Sequence, residues 1–209
     1  MRSFLLVLAL GATAHAQPDT YAPPAPCADG SGDQNSCAAR ESALDAPVRN
    51  RKLAAISAHW PPAQQQAFRN LQTALSIFLG KHARELDQGG TGSYGMTITE
   101  MDRYNDDFLA AIIRFEHHDL PSYAPQYFAI ADAALNAMYR TQLRSSAENA
   151  AQHTQGLPTP EDLQVAQRAW LRYRDAWVAF AALRYPSIPA DSFRTWLTLD
   201  RTDALQTIN

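Results

Sequence analysis

The chain has 209 residues, 46% of them hydrophobic and 19% charged, which excludes a mostly disordered chain and allows one sizeable core or two small ones. Eighteen Lys and Arg stand against 21 Asp and Glu, a net charge of −3, so a nucleic-acid partner is not expected. A weak acidic excess suits a basic partner, but speaks first to solubility.

The chain opens on MRSFLLVLALGATAHA: Arg2, an apolar run from Phe4 to Leu10, and the small-x-small triplet Ala14-His15-Ala16. This is the pattern of a cleavable export signal over residues 1–16, with the mature chain starting at Gln17 and a periplasmic or secreted location. The run falls far short of the roughly 20 apolar residues of a membrane span, so a membrane-embedded protein is not expected. Loss of Arg2 leaves 17 basic against 21 acidic side chains, net −4.

Residues 17–36, QPDTYAPPAPCADGSGDQNS, carry Pro, Gly, Ser and Asp without periodicity and read as an extended tether. Cys27 and Cys37 are the two cysteines of the chain. In an oxidising compartment they favour a disulfide, and closing so short a loop stabilises by about 3 kcal/mol in the chain-entropy picture. The competing reading, a metal site, lacks a nearby His partner.

Beyond the tether the chain repeats itself. ESALDAPVRNRKL (41–53) aligns with DAALNAMYRTQLR (132–144), FRNLQTALSIFLGKH (68–82) with LQVAQRAWLRYRDAW (163–177), and EMDRYNDDFL (100–109) with TLDRTDAL (198–205). The second pair sets Phe68, Leu71, Leu75, Phe78 and His82 on the stripe held by Leu163, Ala166, Trp170, Tyr173 and Trp177, steps of three and four that mark an amphipathic helix. Arg168, Arg172 and Asp175 fall on the opposite, solvated face. The spacing predicts an all-α fold: about six helices in two similar three-helix units, a degenerate first over 37–118 and a second over 119–209, forming a helical bundle.

Local signals supply the expected boundaries. Pro61-Pro62 and Pro121 open helices, TITE (97–100) has capping-box spacing, TPED (159–162) offers an N-cap Thr with Pro behind it, and Gly89-Gly90 ends a helix. Pro47, inside the first helix, is expected to break or kink it.

Three stretches invite a functional reading. DQGGTGSYGMTITE (87–100) is a Gly-rich loop with Tyr94 in its middle, so Gly90, Ser93 and Tyr94 are candidate target-binding residues. FEHHDLP (115–121) gathers Glu116, His117, His118 and Asp119, but adjacent helical residues point about 100° apart and a polar helix end is the better reading. His82 reads as a core-edge histidine rather than a ligand. No nucleophile motif and no phosphate-cradling loop is present, so no enzyme activity, catalytic residue, metal or cofactor is expected.

LNAMY (135–139), AQRAWLRYRDAW (166–177) and DRTDAL (200–205), in this order, resemble the LprI-like family of lysozyme inhibitors, small exported helical domains of bacteria. The resemblance is clear over 127–205 and faint over 37–112. The family usually carries a Cys where Val178 stands here, so its disulfide frame is changed. The resemblance implies that Leu135, Asn136, Tyr139, Gln167, Trp170, Tyr173, Arg174 and Asp175 are packing and hydrogen-bonding elements, with Gln167, Arg174 and Asp175 tying helices together at the core edge. It implies a non-enzymatic binding protein whose partner is a lysozyme-type muramidase. The alternative is an immunity protein that neutralises a periplasmic toxin, a cell-wall hydrolase or lipase. A metal-binding or hydrolytic enzyme is the third reading.

Overall fold

The computed structural model describes residues 34–86 and 89–207, so the export signal, most of the tether and the Cys27 half of the expected disulfide lie outside the described residues. Six helices follow in order: α1 (Gln34–Ser57), α2 (Pro62–His82), α3 (Ser93–Glu116), α4 (Gln126–Ala151), α5 (Pro160–Arg184) and α6 (Ala190–Gln206). No strand occurs among the described residues, so the all-α expectation holds.

The hydrophobic stripes dictate which faces meet. Leu163, Ala166, Trp170, Tyr173, Trp177 and Phe180 of α5 are all buried, while Arg168, Arg172 and Asp175 are exposed as the period requires. On α2 the same holds for Phe68, Leu71, Leu75, Phe78 and His82. These two stripes face each other, making α2 and α5 the most extensively packed pair, with α1 laid against α3 and α4 against α6. The aligned segments fall on α1 and α4, α2 and α5, α3 and α6, and the packing pairs follow the same correspondence in each half.

Rings fill the space between layers. Phe68 stacks on Phe108 of α3 at 5.9 Å, and Phe115 meets Trp177 edge-on at 5.8 Å and Trp196 at 5.2 Å. Offset and edge-to-face pairs of this kind add to plain area burial. α1 contributes little apolar surface, burying Ala38, Arg49 and Leu53. Its hold on α3 is partly ionic: the buried Arg49 guanidinium donates to Asp106 Oδ1 at 3.2 Å and to Asp102.

Several boundaries depart from the sequence reading. α1 begins at Gln34, inside the expected tether, because Asn35 ties it down: its side-chain amide donates to the Thr91 carbonyl at 2.6 Å and its Oδ1 accepts from the Gly95 amide at 2.7 Å. α1 also runs through Pro47 without a break. Both Pro47 and Ala43, whose carbonyl loses its helical donor, are solvent-exposed, so water satisfies the group that a buried proline would orphan. Pro121 opens nothing, since α4 starts five residues later behind Pro125. α2 ends at His82, well before Gly89-Gly90, where backbone bonds such as Glu85 N–H to the His82 carbonyl tighten the chain into turns. The TPED box forms as read: Thr159 Oγ1 accepts from the Asp162 amide and Asp162 accepts from the Thr159 amide.

TITE caps nothing. α3 starts four residues earlier at Ser93, Thr97 lies within it, and its hydroxyl donates to the Ser93 carbonyl at 2.9 Å. The expected loop 87–100 therefore ends at Gly92, and Tyr94 belongs to the first turn of α3 rather than to the middle of a loop. Gly95 is there for contact, because a Cβ at that position would sit 2.9 Å from the Gln34 carbonyl oxygen.

Candidate functional site

A cavity of about 690 Å³ opens where the end of α2, the first turns of α3, the C-terminal half of α4 and the end of α6 come together. That volume lies within the range of small-ligand clefts. Its inner wall carries His82, which is 1% exposed, and behind His82 a charged network crosses the core.

Glu85 sits at the centre of this network, fully buried in the turn after α2. Its Oε2 lies 2.7 Å from His82 Nδ1, and its Oε1 accepts from Arg201 Nη2 at 2.6 Å. Arg201, on α6, gives its Nε to Gln167 Oε1 at 3.1 Å and lays its guanidinium over the Phe78 ring at 5.5 Å. Burial alone would raise the Glu85 pKa, but Arg201 and His82 outweigh it and hold the carboxyl below its usual range. An ionised carboxylate only accepts, so His82 carries its proton on Nδ1 and turns Nε2 outward to the cavity.

Nε2 has no hydrogen-bond partner, and Glu100 Oε1 stands 3.6 Å from it, too far for a good bond. Glu100, on α3, is gripped from the other side by Arg103, whose Nε and Nη2 donate at 2.9 and 2.7 Å. Burial pushes the Glu100 pKa up, but the paired hydrogen bonds and charge of Arg103, with His82 close by, overcome it and bring it down to about 2.

Both carboxyls have folded pKa values below their unfolded ones, so their contribution to stability is complete above about pH 4.5 and drains away as pH falls towards 2. Glu100 alone carries up to about 3 kcal/mol of this. Urea midpoints are expected to be flat from pH 7 to 5 and to drop below 4.5, with a smaller drop in a Glu100→Gln variant. An equal drop in that variant would remove Glu100 from the account.

The motif residues divide. Leu135, Gln167, Trp170 and Tyr173 are buried and Tyr139 is half-buried, as a packing role requires. Arg174 reaches α4 through Asp132 at 3.7 Å and packs over Trp170 and Phe128. Asp175 does not tie helices: it is 68% exposed and approaches Arg174 of its own helix at 3.7 Å. Asn136 is exposed and donates to Asp132, one turn back.

Of the 115–121 stretch, Glu116 clasps the end of α5 through Arg184 Nε at 3.0 Å and the Tyr185 hydroxyl at 2.8 Å. His117 and His118 end α3. His118 takes φ 65°, its amide donates to the Phe115 carbonyl and the Asp119 amide to the Arg114 carbonyl, the bond pair that closes a helix in the left-handed conformation. Among the described residues no group of three or more His, Cys, Asp or Glu is placed to hold a metal ion.

The proposed target-binding residues lie beside the cavity mouth rather than inside it. Gly90 has φ 118°, the Ser93 hydroxyl donates to the Gly90 carbonyl at 3.0 Å, and Tyr94 projects from the first turn of α3, 61% exposed. Met96, also about 60% exposed, lines the cavity edge.

The half of the chain that supplies Gln142, Gln167 and Arg201 is also the half with a family signature. Residues 117–205 match the lysozyme inhibitor LprI family. The LprI match covers nearly all of α4, α5 and α6; a second copy over the first three helices is not shown. No curated protein and no solved structure matches the chain significantly. The Glu85–Arg201 contact thus joins the LprI half to the half outside the match. Sequence reasoning missed Glu85 and Gln142, read Glu100 only as the acid of a capping box, and saw Arg201 only as part of a repeated Asp-Arg pair.

Proposed function

We propose that the chain is an exported, non-enzymatic inhibitor that binds a lysozyme-type muramidase. The match of residues 117–205 to the LprI family carries this reading. Export rests on the leader pattern of residues 1–16, and the muramidase as partner rests on the family. Lysozyme-type enzymes work with two carboxyl groups in a deep cleft, which a protein inhibitor must obstruct. Tyr94, exposed in the first turn of α3 next to the Gly-rich turn, offers an aromatic anchor suited to that task.

The test is direct inhibition of cell-wall hydrolysis by a muramidase, with affinity measured for the mature chain and two variants. Tyr94→Ala is expected to cost about 2 kcal/mol, roughly thirtyfold in Kd, with an unchanged melting temperature. Tyr21→Ala, in the tether, is expected to leave affinity unaltered. Full hydrolysis at a large excess of the protein would overturn the inhibitor reading; inhibition that survives Tyr94→Ala would overturn only the placement of the surface.

A further inference from the structure

We infer that the cavity beside His82 is the docking site of the chain's own Pro-rich segment APPAP, residues 22–26, bound from within the same molecule. The proposal does not rest on the inhibitor reading, and its test uses no muramidase.

The place where α1 begins carries the argument. Gln34 is at once the first residue of α1 and part of the cavity wall, so the residues ahead of it set out from the cavity rim. The two hydrogen bonds of Asn35, to the Thr91 carbonyl and from the Gly95 amide, pin the first turn of α1 at that rim. Eight positions separate Pro26 from Gln34. Extended, they reach up to about 26 Å, more than the width of a cavity of about 690 Å³. The disulfide expected between Cys27 and Cys37 shortens the connection further. Cys37 stands one turn on from Gln34, on the same face of α1, so the bridge would hold Pro26 close to the rim.

Segment and wall match in chemistry. Three prolines in five residues favour the polyproline II helix, which leaves its carbonyls unpaired and presents apolar rings. Such a chain needs donors for the carbonyls and apolar surface for the rings. The cavity supplies both: the side-chain amides of Gln34 and Asn149 and the Ser145 hydroxyl stand among Met96, Leu157, Pro158 and Leu163. Charge selects this stretch from the rest of the tether. The carboxylates of Glu100 and Glu148 line the cavity and no described Lys or Arg does, which disfavours the stretches around Asp19, Asp29 and Asp33 and leaves the uncharged residues 20–28. Covalent connection then lowers the affinity required. A short tether gives an effective concentration in the millimolar range, so the weak contacts of a preorganised helix suffice.

The experiment is nuclear magnetic resonance on the chain from Gln17 onward. Nuclear Overhauser contacts are expected from the rings of Pro23, Pro24 and Pro26 to the side chains of Met96, Leu157 and Leu163. A triple variant, Pro23→Gly, Pro24→Gly and Pro26→Gly, is changed only ahead of the helices and keeps the fold. It is expected to shift the amides of Ser145 and Asn149 and to leave those of Trp170 and Trp177 in place. The capped peptide Ala-Pro-Pro-Ala-Pro, added to this variant at about millimolar concentration, should return the shifted amides towards their native positions. Ser145→Trp, which fills the mouth from a half-buried position of α4, should abolish the contacts of the native prolines, while Tyr127→Ala leaves them intact. No proline contact with the cavity in the native chain, silent Ser145 and Asn149 amides in the glycine variant, or full contact in folded Ser145→Trp would each overturn the proposal. Contacts found only between labelled and unlabelled copies in a mixed sample would seat a second molecule's segment in the cavity and overturn it as well.

Discussion

Replacing Arg201 with alanine is expected to cost about 3 to 5 kcal/mol at neutral pH, the penalty of stranding one charge of a buried pair. Glu85 and Arg201 have fully buried side chains and touch at 2.6 Å. Without the guanidinium, Glu85 keeps only His82 as a partner, and the desolvation that Arg201 now outweighs takes over and raises its pKa. The pH dependence follows with a definite sign. In the native protein Glu85 stabilises above its unfolded pKa and loses that contribution in acid; in the variant it folds protonated and is penalised as pH rises. The gap between the two proteins should therefore be widest near pH 7 and narrow towards pH 4. Denaturant melts across that range check it, and a loss below about 1 kcal/mol at pH 7 would show that the pair is not buried as described. The double variant Glu85→Leu, Arg201→Met is expected to recover most of the loss, because apolar groups of similar volume need no partners.

The same pair marks where the sequence stops being legible. The stripes of α2 and α5 were readable because burial there is apolar and falls every three or four residues. α6 hides its inward face: Ser192, Thr195, Thr198, Arg201 and Thr202 are buried among Phe193, Leu197 and Leu205, and an inward Arg has the outward appearance of a solvated one. Glu85 lies in a turn, where no periodicity assigns a direction. Gly95 misled for a different reason. Four glycines in seven residues read as a loop, yet one of them belongs to a helix that needs the space for a neighbouring backbone. Pro47 misled because the cost of a helical proline depends on whether the freed carbonyl reaches water, which a sequence does not display. The cavity is the least legible feature, since its polar lining comes from the end of α2, from α3 and from α4, joined only by the tertiary fold.

The aromatic stretch of α5 makes the complementary case, where sequence and packing agree and the consequence is large. Trp177 is fully buried and meets Phe108, Phe115, Phe180 and Trp196 with ring centroids 5.4 to 5.9 Å away. Its Nε1 donates to the Tyr173 hydroxyl at 2.8 Å, a bond that satisfies both polar atoms of an otherwise apolar layer. Trp177→Ala removes contacts from α3, α5 and α6 at once and leaves a cavity walled by rigid rings that cannot collapse into it. A loss of about 3 to 5 kcal/mol is expected. For a domain of this size each kcal/mol lowers Tm by about 2 to 4 °C, so the melting temperature should fall by about 10 °C or more. Trp177→Phe separates the two causes: it keeps much of the volume but deprives the buried Tyr173 hydroxyl of its donor, and about 1 to 3 kcal/mol of the loss should remain. Thermal melts of both variants check this ordering. An alanine variant within about 1 kcal/mol of the native protein would mean that Trp177 is not the keystone of this layer, and that the layer repacks freely around the vacancy.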